Sequence, residues 1–166
     1  LMERHAPDGM MLNVTNPLVP LTQSVNRYTR IKSVGFCHGV VNHLTILFPL
    51  LGAGRMEDVD FVTAGVDHCS WLLSLKVNGQ DGFEIMRGKG LIEAAYRKEK
   101  IAELDDPYAG REAERLRFVI WDKLGYFPAI SDDHICEFFP QFLKNPEVRQ
   151  HWSMHYDRLK ERPKTM

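Results

Sequence analysis

Apolar and polar positions follow two different rhythms along this chain. Near the start, a short apolar run is followed by a helical stripe, and the pair then repeats. Met10-Met11-Leu12-Asn13-Val14 reads as a buried strand, and Leu18, Leu21, Val25 and Tyr28 follow at helical spacing. Asn16-Pro17 offers that helix an N-cap and a first helical residue. Pro20, late in the first turn, works against it. Ile31 to Phe36 is the next strand. Val40, Leu44, Leu47 and Phe48 form a second stripe, expected to stop at Pro49 and Gly52. Strand–helix–strand–helix is the order of a parallel α/β layer.

After Gly54 the rhythm changes. Val59 to Val66 and Ser70 to Val77 are β-rich, and Asn78-Gly79 is a tight-turn dipeptide. Phe83 to Met86 is expected to pair back across that turn as a strand. Helices then take over: Leu91 to Leu104, and Arg111 to Leu124 with a stripe of Ala113, Leu116, Ile120 and Leu124 capped by Gly125. A last helix starts at Asn145-Pro146-Glu147 and carries Val148, Trp152, His155 and Leu159. A boundary falls near residue 55, between an α/β edge and a mixed α+β part.

Composition narrows the classes. The 166 residues suffice for one ordinary domain or pieces of two, and the net charge of −1 argues against a dominant nucleic-acid surface. No apolar run is long enough to span a bilayer. Three cysteines, Cys37, Cys69 and Cys136, suggest reduced thiols in a cytoplasmic protein. The chain opens on Leu1 in what reads as the end of a helix and closes on a charged stretch. It is therefore expected to be an internal piece of a longer protein.

Chemistry concentrates at a few places. Cys37-His38-Gly39 sits at a strand-to-helix corner, where α/β proteins place ligands and a helix dipole stabilises a thiolate. With His68, which follows Ala64-Gly65-Val66-Asp67, it is either a metal centre or a small buried thiol with unrelated imidazoles. Ligand softness alone points to zinc or iron. Ser131-Asp132-Asp133-His134, with Glu137 beyond, is either a general-base cluster or a loop in which Asp133 caps a helix. Asn13 to Asn16 could hold a polar ligand, or Asn16 is only an N-cap. Glu137-Phe138-Phe139-Pro140 reads as core packing. His5, His43, His151 and His155 read as surface or packing residues.

In order along the chain, six segments resemble glycoside hydrolase family 4. They are Asn13-Val14-Thr15-Asn16-Pro17, Val34-Gly35-Phe36-Cys37-His38-Gly39, Ala64-Gly65-Val66-Asp67-His68, Lys123-Leu124-Gly125-Tyr126-Phe127-Pro128, Ser131-Asp132-Asp133-His134 and Glu137-Phe138-Phe139-Pro140. Asp67 stands where the family usually has Asn. The resemblance implies a Rossmann-type α/β edge followed by an α+β domain like the C-terminal domain of lactate/malate dehydrogenases. Residues 1–54 would be the end of a dinucleotide-binding domain. Residues 55–166 would be an α+β catalytic and metal domain, incomplete at its C-terminus.

The resemblance also implies an NAD- and manganese-dependent cleavage of α-glycosides, outside the usual two-carboxylate scheme. Hydride leaves C3 of the sugar, a base takes the C2 proton, the enediolate is stabilised by the metal, and the aglycone departs. Cys37 and His68 match the metal ligands, His38 a residue assisting the leaving group, and Asn16 a contact to substrate hydroxyls. Asp132 matches the base, with Asp133 as the fallback. The Cys-His-Gly form resembles the branch acting on unphosphorylated glucosides, galactosides or uronides, and a homo-oligomer is implied at full length. The Gly-rich dinucleotide fingerprint is absent, so the isolated chain is expected to be inactive. Two other readings stand beside this one: a non-catalytic folded fragment or oligomerisation module, and a 2-hydroxy-acid dehydrogenase-like oxidoreductase.

Overall fold

The computed structural model describes residues 1–66, 68–99, 101 and 114–152. Internal contacts divide the chain into two units, residues 1–40 and 41–166. In the first, α1 (Met2–His5) precedes β1 (Met10–Asn13), α2 (Leu18–Tyr28) and β2 (Lys32–Gly35). The two strands pair in parallel, from Met10 opposite Lys32 to Asn13 opposite Gly35, with α2 as the crossover. This βαβ arrangement is the expected α/β layer.

Three details differ from expectation. The apolar residues of β1 are not buried, and Met10 and Leu12 are largely exposed. Helix α2 starts at Leu18 with Pro17 as its N-cap residue, and no side chain caps it. Asn16 therefore precedes the cap rather than forming it, and the Asn16–Pro17 peptide bond is cis. The residue that organises this corner is Asn13, which is buried. Its amide donates to the Thr22 hydroxyl at 3.0 Å, and its carbonyl oxygen accepts from the Thr15 N–H at 3.0 Å. A buried amide has to spend its polar groups in this way.

Helix α3 (Gly39–Thr45) leads into the second unit and ends earlier than its stripe suggested. A separate turn of helix, α4 (Phe48–Leu51), takes Pro49 into its first turn and ends at Gly52 in the left-handed conformation. Proline is tolerated there because the first-turn N–H groups have no intrahelical partner. After a 3₁₀ turn (Met56–Asp58), β3 (Val59–Val66) and β4 (Cys69–Val77) form the antiparallel hairpin read from the sequence. Asn78 and Gly79, both at positive φ, turn the chain into β5 (Gln80–Asp81).

Phe83 to Met86 does not return as a strand but lies within α5 (Gly82–Gly88). The Asp81 carboxylate accepts the N–H groups of Phe83 and Glu84, and this cap decides the conformation. Helix α6 covers only Leu91–Tyr96, and residues 100 and 102–104 of the longer expected helix lie outside the described residues. Helix α7 (Leu116–Leu124) ends at Gly125 in the left-handed conformation, as expected. It is not a surface helix with one apolar stripe, because Leu116 through Trp121 are all buried. Beyond it come β6 (Phe127–Pro128), α8 (Asp132–Phe138), a 3₁₀ turn (Pro140–Leu143) and α9 (Pro146–His151). Asn145 caps α9 by accepting the Val148 N–H, while His155 and Leu159 lie outside the described residues.

The core of the second unit joins the sheet to α7. Leu72, Leu75 and Val77 of β4 are buried, as are Met86, Phe118 and Phe127. Strand β6 pairs antiparallel with β4 at Trp71–Pro128 and Leu72–Phe127, and the Ala129 N–H donates to the Ser70 carbonyl. This pairing brings the start of α8 to the same end of β4 as His68.

Candidate active site

The strand-to-helix corner of the first unit is formed as expected. Cys37 and His38 lie between β2 and α3, and the Gly39 N–H donates to the Cys37 sulfur at 3.3 Å. Cys37 is half-buried and His38 exposed. Asn16 is exposed on the loop before α2. None of the three cysteines, all of them described, is in a disulfide.

In the second unit His68 stands at the turn between β3 and β4. Gly65 shapes this hairpin. It has φ +141°, and a Cβ there would lie 2.1 Å from the Cys69 carbonyl oxygen. Only glycine accepts both conditions. His68 meets two residues of α8. Its Nδ1 lies 3.1 Å from Glu137 Oε2, and His134 Nδ1 lies 3.0 Å from Glu137 Oε1. The two imidazoles stack with centroids 4.0 Å apart, and His43 meets His134 edge-on at 5.5 Å. Burial raises the Glu137 pKa, but hydrogen bonds from His134 and His68 outweigh it and hold the carboxyl below its ordinary value.

Ligand atoms of His68, His134 and Glu137 all lie within 4.8 Å of one another. Two imidazoles and a carboxylate form a nitrogen–oxygen set suited to a borderline divalent ion. The donor chemistry therefore fits a metal. The sequence does not show His134 and Glu137 to be partners of His68, and His43 reads there as a surface or packing residue. The available signal was the spacing His134-x-x-Glu137, which puts both on one helix face.

Asp132 takes a different place. It is 3% exposed, and its carboxylate accepts the N–H groups of Leu116 at 2.7 Å and Arg117 at 2.9 Å. It thus satisfies the N-terminus of α7 from another helix. Its own N–H donates to Glu114. Burial, then the Glu114 carboxylate, push the Asp132 carboxyl well above the usual range, against the pull of those two amides and of Arg117. Arg117 is fully buried, donating to the carbonyls of Pro128 and His43 and pairing with Glu114 at 3.6 Å. The N-cap residue of α8 is Ser131, not Asp133.

Residues 1–53 match the family 4 glycosyl hydrolases, and residues 63–165 match the family 4 glycosyl hydrolase C-terminal domain. The chain belongs to glycosyl hydrolase family 4. It is 34% identical over 149 residues to an alpha-galactosidase of Bacillus subtilis, a match covering 89% of this chain and 31% of that relative. The family 4 chain spans about a third of the length of the curated relatives it matches. Among solved structures, lplD from Bacillus subtilis superposes with a TM-score of 0.67 at 25% identity, covering 96% of this chain and 40% of that one. A 6-phospho-alpha-glucosidase from gut microorganisms, solved with NAD and Mn2+, superposes with a TM-score of 0.58 at 15% identity, covering 96% and 38%. The fold is therefore a Rossmann-like α/β part followed by a mixed α+β part, as in these family neighbours. Among the described residues no helix is long and apolar enough to cross a membrane.

Proposed function

We propose that this chain contributes the metal-binding and proton-transferring part of a family 4 glycosidase acting on α-glycosides. The observation that carries this reading is the convergence of His68, His134 and Glu137 in a chain of this family. Residues 1–54 would close a dinucleotide-binding domain and 55–166 would form the catalytic and metal domain; the two family matches, to 1–53 and 63–165, support that division.

Cys37 and His68 would hold a divalent metal, manganese in the first instance. When bound, the metal supplies positive charge for holding sugar oxygens, and NAD+ supplies a hydride acceptor. The chain has no Gly-x-Gly-x-x-Gly segment, so none of its residues is assigned to the dinucleotide and no step is derived through it. A carboxylate of the Asp132-Asp133 pair would take the carbon-bound proton. The Asp132 oxygens are already engaged by Leu116 and Arg117, which supports testing Asp133 first. His38, exposed beside Cys37, would pass a proton to the departing oxygen, and Asn16 would hold a sugar hydroxyl.

The relative's name makes an α-galactoside the first substrate to test, with an α-uronide and an α-glucoside next. Reduced thiols support a cytoplasmic setting, and a homo-oligomer is proposed for the whole protein. The test is release of nitrophenol from the aryl α-galactoside by the protein containing this chain, with Mn2+, NAD+ and a thiol reductant. Cleavage in deuterated water should put deuterium at C2 of the sugar. Turnover that persists after chelation and removal of NAD+ would refute the reading. Oxidation of a 2-hydroxy acid instead would favour the dehydrogenase-like alternative.

A further inference from the structure

We propose that Glu137 is a positioning residue that fixes which nitrogen of His68 faces the metal, an inference that rests on His68 being a metal ligand. Glu137 divides its two oxygens between two imidazoles, Oε2 on His68 Nδ1 and Oε1 on His134 Nδ1. An ionised carboxylate only accepts hydrogen bonds, so each Nδ1 carries the proton. A protonated Nδ1 cannot bind a cation. The lone pair of a neutral His68 ring is then on Nε2, and Nε2 is the ligand atom.

This assigns Glu137 to the outer layer of the site, behind the His68 ring rather than among the metal's own ligands. A carboxylate behind a metal-bound imidazole raises the ring's basicity and locks its orientation. His134 serves as the second anchor of that carboxylate. It sits on α8 one turn before Glu137, stacks on His68 and is met by the edge of His43. With both oxygens held, the Glu137 carboxylate cannot rotate away from His68 without breaking a second hydrogen bond.

The test uses the chain itself and two measurements. Free Mn2+ is followed by electron paramagnetic resonance during titration of the native chain and of Glu137→Ala, Glu137→Gln, His134→Ala and His68→Ala. Long-range proton–nitrogen spectra of the histidine rings report the tautomer of His68, metal-free and loaded with Zn2+. The expected result is a loss of about 10- to 100-fold in Mn2+ affinity for Glu137→Ala. Glu137→Gln should recover part of it, because its amide oxygen still accepts from Nδ1. His68 should be the Nδ1–H tautomer in the native chain with and without Zn2+, and lose that preference in Glu137→Ala. Loss of the Nδ1 proton on Zn2+ loading overturns the proposal, as does unchanged Mn2+ affinity in Glu137→Ala while His68→Ala abolishes binding. A native chain that binds no Mn2+ overturns the metal reading itself, and this role with it. The Glu137 side chain is 45% exposed, so its variants should fold.

Discussion

Asp132→Ala should destabilise the second unit by about 2–5 kcal/mol, through the N-terminus of α7 rather than through any loss of packing. The first N–H groups of a helix have no intrahelical acceptor and need one from elsewhere. Here the acceptor is the Asp132 carboxylate, which takes the N–H groups of Leu116 and Arg117. Both residues are fully buried, so water cannot replace the lost oxygens. Each orphaned donor costs about 1–3 kcal/mol, giving about 2–6 for the pair. Arg117 also loses one of the two carboxylates beside it, which adds to the cost. Against this, the truncation removes a buried carboxyl that is repelled by Glu114, which offsets part of the loss. Asp132→Asn keeps one acceptor and turns an amide NH₂ toward the other donor, for about 1–3 kcal/mol.

The assay is urea unfolding followed by tryptophan fluorescence, with Trp71 and Trp121 reporting on the sheet and on α7. The midpoint should fall at constant slope. Asp132→Ala within about 0.5 kcal/mol of the native chain would refute the argument, since that is the range of an ordinary surface substitution. The pH dependence provides a second check, and its sign is fixed. Asp132 has its carboxyl raised above the ordinary 3.8 in the folded state, so the fold holds a proton that the unfolded chain has released. That contribution is complete below the unfolded value and is lost as pH rises through the raised one. The stability of the native chain relative to Asp132→Asn should therefore decline with rising pH across that window.

Other expectations follow from single contacts. Gly65→Ala should cost at least about 1–3 kcal/mol from its positive φ alone, and thermal unfolding together with Mn2+ titration should show stability and metal affinity falling in step. Asp81→Ala should remove the cap of α5 and cost about 1 kcal/mol in chemical unfolding, with Asp81→Asn recovering most of it. Cys37→Ser and His68→Ala should each abolish stoichiometric Mn2+ binding while leaving the circular dichroism spectrum unchanged; retained binding in both would remove the metal assignment.

Local rhythm was legible where the chain's own neighbours determine the structure. The β3–β4 hairpin, the Asn78-Gly79 turn, the Gly125 stop and the βαβ order all follow from contacts within a few residues or from a regular period. Phe83 to Met86 is helical rather than a strand because a run of four residues, three of them apolar, fits either rhythm, and the Asp81 carboxylate just before it decides between them. The corner at Cys37 was legible because strand, thiol and helix start are consecutive. The partners of His68 were not, since they lie on a helix more than sixty residues away and reach it only through the pairing of β6 with β4.

Arg117 shows the same limit from the other side. In a helical stripe an arginine marks the solvent face, yet this one is fully buried. Its burial is intelligible only once Glu114, the Pro128 carbonyl and the His43 carbonyl are in place around it. A charge can enter a core when its partners come from several segments at once, and that condition is invisible to any window read along the chain. The consequence for the site is direct. Arg117 holds the Pro128 and His43 carbonyls, His43 meets His134, and His134 shares Glu137 with His68. The buried ion network and the candidate metal site are thus joined through His43, so a change at Arg117 should disturb the imidazole cluster as well as the core.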